Sequence, residues 1–393
     1  MKFSIGEMLK NFGPAWLVMI ADVDIASIVT GLQAGSEWGY RMIFIFILLI
    51  IPLFFIQDAA GRLGIASGLG LGEATRKYFG RKVAVAAALP MAIGDFLEYV
   101  AEYAGIGLGL YLLGLPVLPG LVIAYLVHTL IVVGRQYAKA EAILLPLSLL
   151  LVAGFVLTLF VFPFNAGEVF SIGLSPFQPY GNSSYDYLMA ASIGAVIMPW
   201  MLYFQSGANA RRLKRPEAMK AERIETLLGA AVSEVLMVIT VLVGLNLASS
   251  GGLGLSDLPK ALSVFGANAS LLMGIGFISA GFLALVVISM GSAWGVLEAL
   301  NTRSRRAFLI IYSLESLPAV VLVMISTNYV TLMLSLMVIF TIIVLPSLYL
   351  LGKLVSRPDV MNGYQYDRRW QTMFWIMAVF IAIGGLLGIL SQL

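Results

Sequence analysis

The chain has 393 residues, 60% of them hydrophobic and 11% charged, whereas a soluble domain has about 45–50% apolar and about 25% charged residues. So few charges cannot cover a water-facing surface, and a soluble globular protein is excluded. The absence of cysteine and a single histidine, His128, exclude disulfides, thiolate ligands and a histidine-rich zinc site, and a net charge of +3 in short basic clusters excludes nucleic acid as a partner.

A bilayer core about 30 Å thick needs roughly 20 apolar residues per helix. Eleven windows of that kind run over about 13–33, 42–60, 84–109, 115–134, 141–163, 187–207, 227–249, 271–297, 307–325, 329–352 and 372–391. The expectation is an all-α polytopic membrane protein in a single domain. The amphipathic segment Met1–Phe12 contains Glu7, and no small-residue cleavage site follows it, so it does not read as a signal peptide.

In chain order, the first window carries Asp22 and Asp24 in mid-span, within Ala21-Asp22-Val23-Asp24-Ile25-Ala26-Ser27. The second has no polar side chain from Met42 to Ile56 and ends on Gln57-Asp58. The loop Ser67–Gly72 (SGLGLG) follows a long apolar helix rather than a strand, so it reads as a flexible cytoplasmic turn and not as a nucleotide site. On the third window Asp95, Glu98 and Glu102 share one helix face. That face reads as a polar stripe or proton path before a second metal site. His128, alone on the fourth window, reads as a packed residue before a proton shuttle. The loop Asn165 to Tyr185 has no Lys or Arg, and the sixth window is interrupted at Ala195-Val196-Ile197-Met198-Pro199-Trp200.

Lys and Arg accumulate on the cytoplasmic side of membrane proteins. With eleven spans and the N-terminus inside, every basic residue except Arg41 and Lys260 falls on that side, and the C-terminus lies outside. Ten spans divide into two sets of five, about 13–163 and 187–352, with 372–391 as an extra helix. An odd number per set inverts the second relative to the first, and the interruptions in spans 1 and 6 then correspond.

Asp22, Asp24, Asp58, Asp95, Glu98, Glu102, Glu234, Glu298 and Glu315 lie within or at the ends of spans, with no Lys or Arg in any span interior. Such acids usually face a cavity or an ion path, so a mobile cation or protons must supply the missing positive charge. Asp58 and Glu298 read as helix-end or salt-bridge residues and Asp24 as a cation ligand. Asp22 reads equally as a gating acid, and Glu234 and Glu315 equally as hydrogen-bonded carboxyls.

At these residues the chain resembles the Nramp (natural-resistance-associated macrophage protein) family of divalent-metal transporters. The resemblance is carried by Asn11-Phe12-Gly13-Pro14-Ala15, Gly31-Leu32-Gln33-Ala34-Gly35 and Gly39-Tyr40-Arg41 around Asp24, and by Gln57–Arg76. Asp95 with Glu98, and Met198-Pro199 with Leu202-Tyr203 and Ser206, complete it. It implies a LeuT-type fold with 5+5 inverted repeats, no enzymatic activity and no cofactor beyond the transported divalent cation. It also implies a metal site on Asp24, Ser27, the Ala195 carbonyl and Met198, with Asp22, Asp95, Glu98, Glu102, Glu234, Trp200 and Gln205 beside it or on an ion or proton path.

The family's Asp-Pro-Gly-Asn reads here Asp24-Ile25-Ala26-Ser27, its two helix 6 histidines are Trp200 and Gln205, and its helix 9 arginine is replaced near Tyr312. These departures resemble a divergent branch related to the Nramp-related magnesium transporters. Ser27 in place of an amide withdraws a ligand and leaves room for water, which suits Mg²⁺ as well as Mn²⁺, whereas Met198 suits Mn²⁺ or Fe²⁺. The expectation is a monomeric transporter in a prokaryotic plasma membrane, working by alternating access with weak or absent proton coupling. Mn²⁺ comes first and Mg²⁺ next. An amino-acid or organic-cation transporter on the same fold is the alternative.

Overall fold

The computed structural model describes residues 13–135, 139, 153–161, 164–212, 217–247, 257–326 and 328–392. Among them every regular element is helical. We number the α-helices of eight residues or more α1 (Pro14–Asp22), α2 (Ile25–Trp38), α3 (Ile43–Ser67), α4 (Leu71–Phe79), α5 (Arg81–Leu112), α6 (Val117–Gly134) and α7 (Ala153–Val161). There follow α8 (Ser183–Val196), α9 (Pro199–Arg212), α10 (Ala218–Gly244), α11 (Ala269–Leu300), α12 (Arg305–Ile325), α13 (Tyr329–Ile343), α14 (Leu345–Val355) and α15 (Arg368–Leu390).

Among the described residues nine helical stretches are long and apolar enough to cross a membrane, or ten if the bent pair Ala153–Val161 and Ala166–Gly173 counts as one. The difference from eleven has a local cause. The first two predicted spans run together as the helical stretch Ile25–Ser67, yet the chain turns back within it. Gly35 of α2 packs against Gly244 at one end of α10, and Gly61 of α3 against Glu222 at the other. The reversal occurs in the 3-10 turn Gly39–Met42, which opens on Gly39 at φ 58°, a left-handed conformation that glycine adopts without steric cost. Much of the fifth predicted span lies outside the described residues.

Both predicted interruptions are present. The chain leaves helical geometry at Val23 and Asp24, and Asp24 caps α2 by accepting the Ser27 N–H at 2.8 Å. The second break falls at Ile197 (φ −128°, ψ 88°), one residue before the Met198-Pro199 step. Proline disfavours the helical region in the residue before it and lacks an N–H, so it suits the first turn of α9.

Burial orders the helices around these breaks. The most apolar 18 residues of the Ser183–Arg211 stretch are 94% buried, whereas those of Val117–Gly134 are 22% buried and expose Leu118, Ile123, Leu126 and Leu130. In an apolar helix such an outward face belongs against lipid. The broken helices form the centre, and α5 and α11, the most extensively paired helices, pass beside them.

The two ends of the bundle differ in charge. At one, Arg223 grips Asp58 with two hydrogen bonds (2.8 and 3.1 Å) and stacks on Trp370. There too Arg211 pairs with Glu298 at 2.8 Å and stacks on Trp294. Asp58 and Glu298 are thus salt-bridge residues, as their place at the span ends suggests. The other end carries the Ser184 to Glu37 bond and the Tyr185 hydroxyl bonded to the Arg41 carbonyl. The Ser67–Gly72 turn lies at the basic end, where Gly68 is open, with φ 66°, and the other two glycines are packed. Gly70 and Gly72 abut Glu298, and the Leu71 N–H donates to Ser206. Gly70 and Gly72 serve close approach to α11, so the turn is anchored there rather than flexible throughout.

Candidate metal centre

Asp24 is 1% exposed, and Glu98 and Glu102 of α5 are fully buried. One carboxylate oxygen from each lies within 4.8 Å of the others. Asp24 Oδ1 is occupied by the α2 cap, which leaves Oδ2 free; both oxygens of Glu98 and of Glu102 lack a hydrogen-bond partner. Burying a charge without a partner costs several kcal/mol, and among the described residues no Lys or Arg pairs with these acids. The arrangement therefore calls for a cation or for protons.

The sequence suggests that Glu98 and Glu102 share a face but not what that face meets. It meets Asp24, because Ile25 beside it lies against Gly105 of α5 and Gly281 of α11, where no side chain keeps the helices apart. The polar stripe that the sequence places along α5 thus faces Asp24 at Glu98 and Glu102.

Ser27 and Ala195 close the centre from the two breaks. The Ser27 hydroxyl donates to the Ala195 carbonyl at 3.0 Å. A hydroxyl that donates its hydrogen keeps its lone pairs, so Ser27 can offer oxygen to an ion without leaving Ala195. Met198 is differently engaged, since its sulfur accepts the Trp200 indole N–H at 3.4 Å.

The remaining predicted residues disperse. Gln205 points to α10, donating to Glu222 at 2.6 Å and Thr226 at 3.1 Å, and Asn209 donates to the same Glu222. Asp22 is buried and accepts from Ser233 of α10 at 3.3 Å. Asp95 is fully buried with neither oxygen hydrogen-bonded, and Glu315 accepts from Ser292 of α11.

His128 is buried among Tyr99, Tyr103 and Tyr312. Ser289 donates its hydroxyl to the Leu285 carbonyl at 2.6 Å, so it receives the His128 Nε2–H at 2.8 Å, and Nδ1 accepts from Tyr103 at 2.8 Å. Both ring nitrogens of a neutral imidazole are thereby satisfied, which supports the packed reading of His128.

Glu222 and Glu225 escaped the sequence reading because they sit just before a predicted span. Glu225 Oε1 accepts the backbone N–H groups of Gly13 and Trp16, each at 2.8 Å, and so caps α1 from another helix.

Residues 15–391 match the family described as Natural resistance-associated macrophage protein-like (Nramp). The chain belongs to the Nramp family. It is 30% identical over 288 residues to the divalent metal cation transporter MntH of Bacillus subtilis, a match covering 70% of this chain and 67% of that one. The fold is similar to that of the manganese transporter of Eremococcus coleocola in complex with an aromatic bis-isothiourea substituted compound. The TM-score is 0.83 at 18% identity, covering 100% of this chain and 89% of the other. It is also similar to MhsT in complex with L-phenylalanine, with a TM-score of 0.60 at 14% identity over 96% and 98% of the two chains. This Nramp chain is thus an integral membrane protein of LeuT-type fold, from a family of transporters rather than enzymes whose metal is substrate and not cofactor.

Proposed function

We propose that this Nramp protein carries a hard divalent cation across the membrane by alternating access, Mn²⁺ first and Mg²⁺ close behind. The observation that carries this is the trio Asp24, Glu98 and Glu102, buried with their oxygens within 4.8 Å and without a basic partner among the described residues. Three carboxylates, the Ser27 hydroxyl and the Ala195 carbonyl make an all-oxygen donor set, which suits hard cations. Met198, its sulfur held by Trp200, adds little preference for softer ions, so Mn²⁺ gains only a small advantage over Mg²⁺.

All three acids are closed off from solvent, so loading and release need the halves around the two breaks to move. The inverted repeats over about 13–163 and 187–352 would relate those breaks, with the N-terminus cytoplasmic, the C-terminus outside and one chain sufficient. Proton coupling is weak or absent in this reading, because Trp200 and Gln205 stand where the family's histidines would and Gln205 is tied to α10.

MhsT, bound to L-phenylalanine in its own structure, raises amino-acid transport as a second reading, since fold does not fix substrate. The buried acids disfavour it, because a substrate carboxylate would meet Asp24, Glu98 and Glu102 without a balancing cation.

Uptake into proteoliposomes tests the proposal. Asp24→Ala should abolish Mn²⁺ and Mg²⁺ flux, and undiminished flux would remove Asp24 from the site. Calorimetric titration should give Mn²⁺ and Mg²⁺ affinities within about tenfold of each other, about 1.4 kcal/mol. A pH dye that reports stoichiometric acidification would overturn uncoupled transport.

A further inference from the structure

The first turns of α10 hold a buried acid that the mechanism above does not use. Glu222 is 2% exposed, and Gln205 and Asn209 of α9 beside it are fully buried. Its Oε1 accepts from Gln205 Nε2 at 2.6 Å, from Asn209 Nδ2 at 3.1 Å and from the Thr226 hydroxyl at 3.3 Å. Thr226 in turn accepts from Gln205 at 3.1 Å. Gln205 with Asn209, and Glu222 with Thr226, are spaced four apart, so each pair shares one face of its helix. Helix α3 closes a third side at Gly61, where a Cβ would collide with Glu222 Oε1.

Two features make this more than a bond between helices. Among the described residues no Lys or Arg pairs with Glu222, although a buried charge calls for a compensating one, and Arg223, next in the chain, is committed to Asp58. Both amides give their nitrogens to Glu222 and leave Gln205 Oε1 and Asn209 Oδ1 buried without a donor, each at a cost of about 1–3 kcal/mol. Half a turn of an amide about its last bond exchanges its oxygen and nitrogen, which here puts two more oxygens around Glu222 Oε1 and the Thr226 hydroxyl. Ligand oxygens about 2.1 Å from an octahedral ion lie about 3.0 Å apart along each edge, and the spacings from Glu222 Oε1 run from 2.6 to 3.3 Å. The helices need not move between the two arrangements.

We propose that Gln205, Asn209, Glu222 and Thr226 form a second binding site for a hard divalent cation, on the release side of the central one. This rests on Asp24, Glu98 and Glu102 being the central site. Gln205 follows Pro199, the first residue of α9, by six residues, about 9 Å along the axis, toward the basic end where Arg211 meets Glu298. One carboxylate against the three of the centre makes this the weaker site, which an ion passes through rather than rests in. The same turn of α10 carries Glu225, the cap of α1, so the ion would stand where α1 attaches to the bundle.

Counting bound Mn²⁺ in purified full-length protein by the loss of the free-ion spin-resonance signal tests this. The wild type should bind two ions, one at least tenfold weaker than the other. Asp24→Ala should lose the tighter ion and keep the weaker. Glu222→Gln, which keeps an acceptor for the three donors but removes the charge, should weaken that remaining ion at least tenfold in the Asp24→Ala background, and alone should keep the tighter ion. A single ion in the wild type, or equal binding in Asp24→Ala and Asp24→Ala/Glu222→Gln, overturns the second site. The tighter ion surviving in Asp24→Ala would instead unseat the central one. Asn209→Leu keeps the acid and removes one amide, and should weaken the second ion three- to tenfold. A lower melting temperature without metal and an unchanged second ion in Asn209→Leu would reduce the cluster to a bond between helices and overturn the site.

Discussion

The Ser27 hydroxyl and the Ala195 carbonyl, 3.0 Å apart, join the broken segments of α1–α2 and α8–α9 across the centre of the bundle. This bond holds the breaks in register, and Ser27 also presents an oxygen beside Asp24. A buried hydrogen bond contributes about 0.5–1.5 kcal/mol. Ser27→Ala should therefore weaken half-saturation of Mn²⁺ uptake by about three- to tenfold. Ser27→Thr keeps the hydroxyl and should restore most of the loss, and an alanine variant with wild-type uptake would show the bond to be idle.

Glu225 bears on how the centre opens. It caps α1 from α10, and α1 is short and ends at a break, so this attachment adds to the packing that holds its N-terminus on the bundle. Hydrogen bonds to a charged group contribute about 1.5–3 kcal/mol. Glu225→Ala should release α1 and lower the melting temperature, while Glu225→Gln keeps an acceptor and should fall between. Because the chain has no cysteine, Val18→Cys makes a single reporter at a fully buried position of α1. Its alkylation should speed up at least tenfold in Glu225→Ala, and equal rates in both backgrounds would rule out the latch.

Both breaks and the spans that fall on the described residues were legible in the sequence because apolar length, a mid-span Asp24 and the Met198-Pro199 step are local signals. The face shared by Asp95, Glu98 and Glu102 was legible for the same reason. What that face meets was not, since Asp24 reaches Glu98 and Glu102 through packing around Gly105 and Gly281, far apart in the chain. The Glu225 cap of Trp16 spans 209 residues, and no window of sequence contains it. Side-chain direction was also hidden. Trp200 and Gln205 both lie on α9 after the break, yet one turns to the Met198 sulfur and the other to Glu222.

His128 separates packing from proton transfer. With Nε2–H donated to Ser289 and Nδ1 accepting from Tyr103, the ring ties α6 to α5 and α11. His128→Ala removes these bonds and leaves a cavity beside Tyr99 and Tyr103, and should cost about 2–4 kcal/mol of stability. The pH profile of uptake should nonetheless keep its shape in whatever fraction stays folded. A profile that flattens in His128→Gln, which keeps a donor and an acceptor, would return His128 to a proton path.

Gly105 sets how closely α5 approaches the first break. A Cβ there would lie 2.5 Å from Ile25 Cγ2 and nearer still to Cδ1, and one on Gly281 would lie 2.9 Å from Ile25 Cδ1. Ile25 is fully buried between α5 and α11, so it cannot yield without moving Asp24, the residue before it. Overpacking of this kind costs about 1–3 kcal/mol, and here part of the cost should appear as lost geometry among Asp24, Glu98 and Glu102. Gly105→Ala should lower both the melting temperature and Mn²⁺ affinity. Adding Ile25→Val, which trims the side chain that collides, should recover both together. Recovery of stability without recovery of affinity would mean that the spacing of α5 from Asp24 does not set the strength of ion binding.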